Sequence, residues 1–291
     1  MDRATGLSGL LRGFRLALSV EGLKPRTIDD YVRSVQAFAG HLGQRSPRSI
    51  TPTDVRAYIS EFQNGHSPKT VREAQLGLRR FFRFLLQEGE VRSDPMREMR
   101  LPTCRVDPQP TYSEAEVKRL ILVCDHKTRT GTRDRAMLLT LFDTGVRVGE
   151  LVSMGLPNWE HRTVRVEGKT GVREVPLGMA TLQALDRYVR RWAITESPFW
   201  RGKKGAVTGS GVLQIIRRLS RRADVPHKGV HAFRRAAAAQ MKRLGMNDSD
   251  ILEVMGWRSV EMLRRYTAAV AEELAHQAHR RCSPGDALQI G

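Results

Sequence analysis

Residues 229–267 read GVHAFRRAAAAQMKRLGMNDSDILEVMGWRSVEMLRRYT. They lie in a longer run, about residues 209 to 281, whose apolar spacing is helical. His231 and Arg234 form H-A-F-R at the start of one helix. Trp257 stands in VMGWRS, and Tyr266 stands nine residues later in LRRYTAA. Each piece alone has an ordinary structural reading. H-x-x-R arises often by chance, and a lone tyrosine on an amphipathic helix commonly belongs to the core. The set gains meaning from what precedes it.

Between Arg201 and Arg235 stand ten Lys or Arg residues and one acidic residue, Asp224. Within that span Leu213, Ile215, Ile216 and Leu219 fall at helical spacing and mark a buried face. Arg217, Arg218, Arg221 and Arg222 then form either a phosphate-contacting stripe or a solvated face. Further upstream, MATLQALDRYVRRWA is helical, and TVRVEG and VREVPL alternate across Lys169-Thr170-Gly171 as a β-hairpin. GTRDRAMLLTLFDTG reads as a buried helix with Gly145 at its C-terminal end, followed by Arg147 in DTGVRVGELVSM.

The stretch RLPTCRVDPQPTYSEAEV holds Pro102, Pro108 and Pro110, which favour extended chain. Ser113 with Glu116 then has capping-box spacing. This predicts a first domain over residues 1–103, a linker over 104–111 and a second domain over 112–291. The first domain shows four amphipathic segments. They are GLLRGFRLALSVEGL; TIDDYVRSVQAFAGHLG, with Thr27 as N-cap and Tyr31, Val35, Phe38 and Leu42 on one face; ITPTDVRAYISEFQ, opening at Thr51; and SPKTVREAQLGLRRFFRFLLQEG, ending near Gly89. The last carries Arg72, Arg79, Arg80 and Arg83, a second candidate phosphate-contacting run or a wet face, beside Phe81 and Phe82, which read as core. The expected fold is mainly α: an N-terminal helical bundle, then a mixed, mostly helical domain with a small antiparallel β-sheet.

The 291 residues hold 49 Lys and Arg against 31 Asp and Glu, a formal charge of +18. Such an excess suits a polyanionic partner, because each phosphate neutralised releases counterions. Its plainer reading is a solubility charge or an arginine-rich composition. Cys104, Cys124 and Cys282 are widely spaced and odd in number, which fits a reducing compartment and argues against a disulfide framework or a cysteine zinc site. His276 and His279 read as a solvated helix face, so no metal site is expected. No apolar run approaches 18 residues, and Arg12 and Arg15 break the N-terminal apolar stretch. A cytoplasmic protein without membrane contact is expected.

Taken together, Arg147, Lys169, His231-x-x-Arg234, Trp257 and Tyr266, with the strings TGVR-VGEL and MGW-to-RRY, resemble the tyrosine recombinase family, also called the phage integrase or Xer-like family. The likeness covers the second domain through its length and suggests a compact two-domain member. The bundle fits the family's core-binding, SAM-like domain less specifically. The resemblance implies a site-specific recombinase that cuts and rejoins DNA through a 3′-phosphotyrosyl link to Tyr266 and a Holliday junction. It implies a homotetramer on double-stranded DNA bearing a specific site, with room for an accessory DNA-bending or directionality factor. It implies that Lys169 supplies the proton to the leaving 5′-oxygen, and that the tail after Tyr266 docks on a neighbouring protomer; otherwise that tail packs on its own domain.

The residue types suit this chemistry. A phosphodiester gathers negative charge in its transition state, and the forks of Arg147 and Arg234 can clamp its nonbridging oxygens. The sequence offers no acidic cluster of the metal-site kind, and no cofactor is expected. A phenol with a pKa near ~10 is only about 0.1% ionised at neutral pH. It therefore needs a base, and His231 titrates in the right range. Trp257 has a donor and no acceptor, so it either donates to a phosphate oxygen or packs. Glu150, one turn past Arg147, is placed to brace the site. Arg235 stands where many family members have His, and adds either a phosphate contact or a surface charge.

Integration or excision of a phage or mobile element is the favoured role. Xer-type resolution of chromosome or plasmid dimers is the alternative. A type IB topoisomerase shares much of the chemistry, and a non-catalytic DNA-binding regulator would use the basic helices alone.

Overall fold

Proline begins three of the first four helices. In the computed structural model, which describes residues 7–43, 45–104, 109–168, 171–202 and 205–288, α1 spans Leu7–Val20, α2 Pro25–Leu42, α3 Pro52–Gln63 and α4 Pro68–Gln87. Proline's fixed φ suits the first helical position, where its missing N–H has no helical partner to lose. The expected cap at Thr27 is therefore displaced: α2 starts at Pro25 with Lys24 as N-cap, and the Thr27 N–H already donates to the Lys24 carbonyl at 2.9 Å. Thr51 caps α3 reciprocally with Asp54, and the Ser67 hydroxyl caps α4 by accepting from the Thr70 N–H. The bundle's core holds Phe14, Phe38, Leu78, Phe81, Phe82 and Leu85. Phe14 meets Phe81 edge-on at 5.2 Å between ring centres. On α2, Ile28 and Val32 join Val35 and Phe38 in the core, while Tyr31 and Leu42 are only partly buried.

The chain divides into two compact units between residues 106 and 107. The second begins with α5 (Glu114–Leu122), opened by the Ser113–Glu116 capping box. Then come α6 (Arg129–Thr144), α7 (Val148–Ser153), the antiparallel hairpin of β1 (Thr163–Gly168) and β2 (Gly171–Pro176), and α8 (Met179–Trp192). β3 (Arg201–Gly202) and β4 (Gly205–Ala206) pair antiparallel. The helices α9 (Gly209–Arg222), α10 (Val230–Arg243), α11 (Asp248–Met255), α12 (Val260–Thr267), α13 (Ala271–Arg281) and α14 (Pro284–Ala287) complete the unit.

The mainly helical class is as expected, and the described residues form two small antiparallel sheets where one was expected. The second escapes sequence reading because its strands are two residues each and rich in glycine. On α9 the buried stripe runs through Val212, Ile215, Ile216 and Leu219, and Leu213 is 41% exposed. One residue's rotation from Val212 carries Leu213 past the stripe's edge. Among the described residues no helix is long and apolar enough to cross a membrane.

α6 is the buried centre of the second unit, packed by α5, α8 and α10. It stops at Gly145, whose φ of 59° and ψ of 22° are left-handed, and a Cβ there would lie 2.5 Å from Met255 Sδ. Gly145→Ala is expected to destabilise the second unit by roughly 1–3 kcal/mol, the usual cost of holding a side chain in that backbone region. Trp159, Trp192, Trp200 and Trp257 all lie in that unit, so urea unfolding followed by tryptophan fluorescence reads it selectively.

Candidate active site

Arg234 is only 1% exposed, although it carries a full charge. It sits in the second turn of α10 between the C-terminal ends of two other helices. Its Nη1 donates to the carbonyl of Gly145, at the end of α6, and its Nη2 donates to the carbonyl of Met255, at the end of α11. Helix C-termini carry carbonyls without helical partners and the negative end of the dipole, so both ends welcome a cation. The guanidinium carbon lies 4.9 Å from the centre of the Trp257 ring. Burial, followed by the charge of Arg147, pushes the Arg234 pKa down to about 10, so the group stays protonated at neutral pH. Its Nε is buried and has no acceptor among the described residues.

A second cluster lies alongside. Arg147 is the N-cap of α7 and Glu150 stands at its third position. The Glu150 carboxylate accepts from the Arg147 N–H at 2.9 Å, from Arg147 Nη1 at 2.8 Å and from Arg173 Nη2 at 3.0 Å. Burial by itself raises the Glu150 pKa, but the Arg147 N–H and the Arg173 guanidinium outweigh it and hold the carboxyl below its ordinary value. Arg173 reaches across from β2, and its Nη1 donates to the Val254 carbonyl at 2.6 Å. The β1 end of the hairpin presses on the same carboxylate: a Cβ on Gly168 would lie 2.8 Å from Glu150 Cγ. Lys169, the next residue, lies outside the described residues.

Gly256 ends α11 in the left-handed region, at a φ of 61°, and turns the chain so that Trp257 points inward, 7% exposed. The Trp257 Nε1 is buried without an acceptor among the described residues. Its ring packs on the ring of Tyr266, 4.7 Å away between centres and tilted by 49°. Tyr266 stands on α12, which packs on α10, and is partly buried. His231, in the first turn of α10, keeps an exposed face. Partial desolvation, then the charges of Arg235, Arg234 and Arg147, hold its imidazole below the ordinary 6.5, so it is neutral at neutral pH.

The structure thus brings Arg147, His231, Arg234, Trp257 and Tyr266 together with Glu150 and adds Arg173. Sequence reasoning missed Arg173, although one signal was available. Alternation in β2 puts Arg173 on the same face as the buried Val175, and a charge on the inward face of a strand needs a partner. Arg235 is half-buried and donates from Nε to the Pro110 carbonyl at 2.8 Å. On α9, Arg217, Arg218, Arg221 and Arg222 are exposed, with Arg218 also paired to Asp134. In the first unit, Arg72 and Arg79 donate to the carbonyls of Pro102 and Met99, Arg80 pairs with Glu21, and Arg83 is exposed.

Removing the Glu150 carboxylate leaves Arg147 without its partner and Arg173 with the Val254 carbonyl but no counter-charge. Glu150→Ala is expected to destabilise the protein by about 3–5 kcal/mol at neutral pH, as when one partner of a buried ion pair is lost. Because the folded pKa is depressed, this contribution is present above the ordinary 4.5 and disappears as pH falls through the folded value. Urea unfolding of both proteins across acid pH measures the convergence.

Residues 111–273 match the phage integrase family, and residues 10–89 match the phage integrase N-terminal SAM-like domain. The chain is 26% identical over 288 residues to the tyrosine recombinase XerC of Myxococcus xanthus, covering 93% of this chain and 96% of that protein. It is similar in fold to a lambda integrase dimer bound to a COC′ core site, with a TM-score of 0.76 at 18% identity over 90% of this chain and 95% of that one. A lambda integrase tetramer bound to a Holliday junction also gives a TM-score of 0.76 at 18% identity, over 91% of this chain and 78% of that one. With more than half of its length matched, the chain belongs to the phage integrase family of tyrosine recombinases, enzymes that cut and rejoin DNA.

Proposed function

We propose that this protein is a site-specific recombinase in which Tyr266 attacks the scissile phosphate, acting in the cytoplasm to integrate or excise a phage or mobile element. The observation that carries the reading is the packing of Tyr266 on Trp257, with Arg234 over the same indole ring. Two buried donors in that cluster, Arg234 Nε and Trp257 Nε1, have no acceptor among the described residues, which suits an anionic group arriving from outside.

In this reading Arg147 and Arg234 hold the nonbridging oxygens. Their charge is fixed before the reaction, so stabilising the more anionic transition state requires little reorganisation. His231, neutral at working pH, takes the phenolic proton as the Tyr266 oxygen bonds to phosphorus. The bond from phosphorus to the 5′-oxygen breaks, and by family resemblance Lys169 gives that oxygen its proton. The product is a 3′-phosphotyrosine and a free 5′-hydroxyl. The ester conserves the bond energy, so a 5′-hydroxyl from another duplex can reverse the step and exchange strands without ATP. The N-terminal unit serves as the core-binding domain, the exposed arginines of α9 contact phosphates, and four copies assemble on a Holliday junction. An accessory DNA-bending or directionality factor fits the same scheme. Dimer resolution is the second reading, favoured by the near end-to-end match to XerC.

Tyr266→Phe is expected to abolish the covalent protein–DNA band formed on a nicked suicide duplex carrying the cognate site, while leaving DNA binding intact. Binding with no band from the wild-type protein would instead support a regulator. Cleavage should rise with pH as His231 loses its proton and reach half its plateau below pH 6.5, because the imidazole is held below that value. Arg235→Ala removes one of the charges responsible and should move the midpoint upward in a single-turnover pH series.

A further inference from the structure

The geometry points to Arg173 as a positioning residue for the cleavage reaction: it ties the Glu150 carboxylate, which orients Arg147, to the end of α11, which leads into Trp257. The inference rests on the recombinase reading above.

Arg173 spends its fork on two different elements. Nη2 donates to Glu150 Oε2 at 3.0 Å, and Nη1 donates to the Val254 carbonyl at 2.6 Å. The first contact lands on the same oxygen that accepts the Arg147 N–H, so one carboxylate sets both the backbone and the side chain of Arg147. The second contact holds the α11 carbonyl immediately before Met255, whose own carbonyl accepts from Arg234. Arg147, Arg173 and Arg234 are thus laced through one carboxylate and one helix end. The fit is tight as well as polar. A Cβ on Gly256 would lie 3.0 Å from Arg173 Nε and 3.1 Å from its Cδ, so the backbone that turns toward Trp257 rests on this side chain.

A neutral side chain at position 173 loses both contacts. Glu150 then holds Arg147 alone, and the Val254 carbonyl is left without its charged donor. A lysine has a point charge without a fork and keeps one contact at a time. Arg147 and Arg234 remain present in either case, so the electrostatic attraction for DNA survives and the loss falls on alignment.

The test uses the full-length protein on a nicked suicide duplex, with single-turnover cleavage and DNA affinity measured separately. Arg173→Met should slow cleavage by about tenfold to a hundredfold, the scale of a misaligned catalytic group, with DNA affinity near that of the wild type. Arg173→Lys should recover part of the rate. Combined with Glu150→Gln, Arg173→Met should add less than its loss alone, since the share exerted through that carboxylate is already gone and only the Val254 contact remains to lose. The proposal is overturned if Arg173→Met cleaves at the wild-type rate. It is also overturned if rate, DNA affinity and melting temperature fall in step, or if the double substitution is fully additive. Should Arg173→Met fail to fold, Arg173→Lys decides by the same readings: a rate loss with intact affinity supports the proposal, and a wild-type rate overturns it. A wild-type protein that forms no covalent band contradicts the recombinase reading itself rather than the role of Arg173.

Discussion

A guanidinium buried to 1% exposure needs compensation from every side, and Arg234 finds it at the ends of two helices. Leaving such a charge unpaired inside a protein is prohibitive. The carbonyls of Gly145 and Met255 stand at helix ends, past the helical hydrogen-bond ladder, and the same cation serves both. This exchange fixes α6, α10 and α11 against one another. It also explains why Gly145 must be left-handed and lack a Cβ: the α6 carbonyl has to reach Arg234 while Met255 lies against it. With those helix ends fixed, Trp257 and then Tyr266 have their places.

Charge balance explains the rest of the site. Arg147 and Arg173 share Glu150, and the charge of Arg234 also feels that carboxylate. One negative charge cannot balance these three guanidinium groups. The surplus is tolerable because Arg173 and Arg234 are also stitched to backbone carbonyls, and it suits a phosphodiester. The same field acts on His231, where desolvation and then the nearby arginines favour the neutral imidazole. A basic cluster of this kind keeps its base unprotonated while offering donors to an anion.

Much of this was legible in the sequence, because the signals were local. The helical period, the Ser113–Glu116 capping box, the glycine stop at Gly145 and the alternating strands around residues 169–171 each depend on neighbours in the chain. The grouping of Arg147, Arg234, Trp257 and Tyr266 was legible through the family resemblance rather than through any one of these signals. The misses were long-range or marginal. Arg173 acquires its partners from α7 and α11, far away in sequence. β3 and β4 are too short to leave a pattern. Composition marked Arg72, Arg79 and Arg80 as a basic run but could not foresee that each is engaged within its own unit. Pro25 outranked Thr27 as a helix start, since a preset φ at the first position does not depend on a capping side chain.

The most direct measurement is mass-spectrometric mapping of the adduct formed on nicked duplex DNA. The protein is digested after cleavage and the modified peptide is sequenced. The account predicts a nucleotide joined through its 3′-phosphate to Tyr266. An adduct on any other side chain would contradict it, because the Arg234–Trp257 cluster would then be built around the wrong residue.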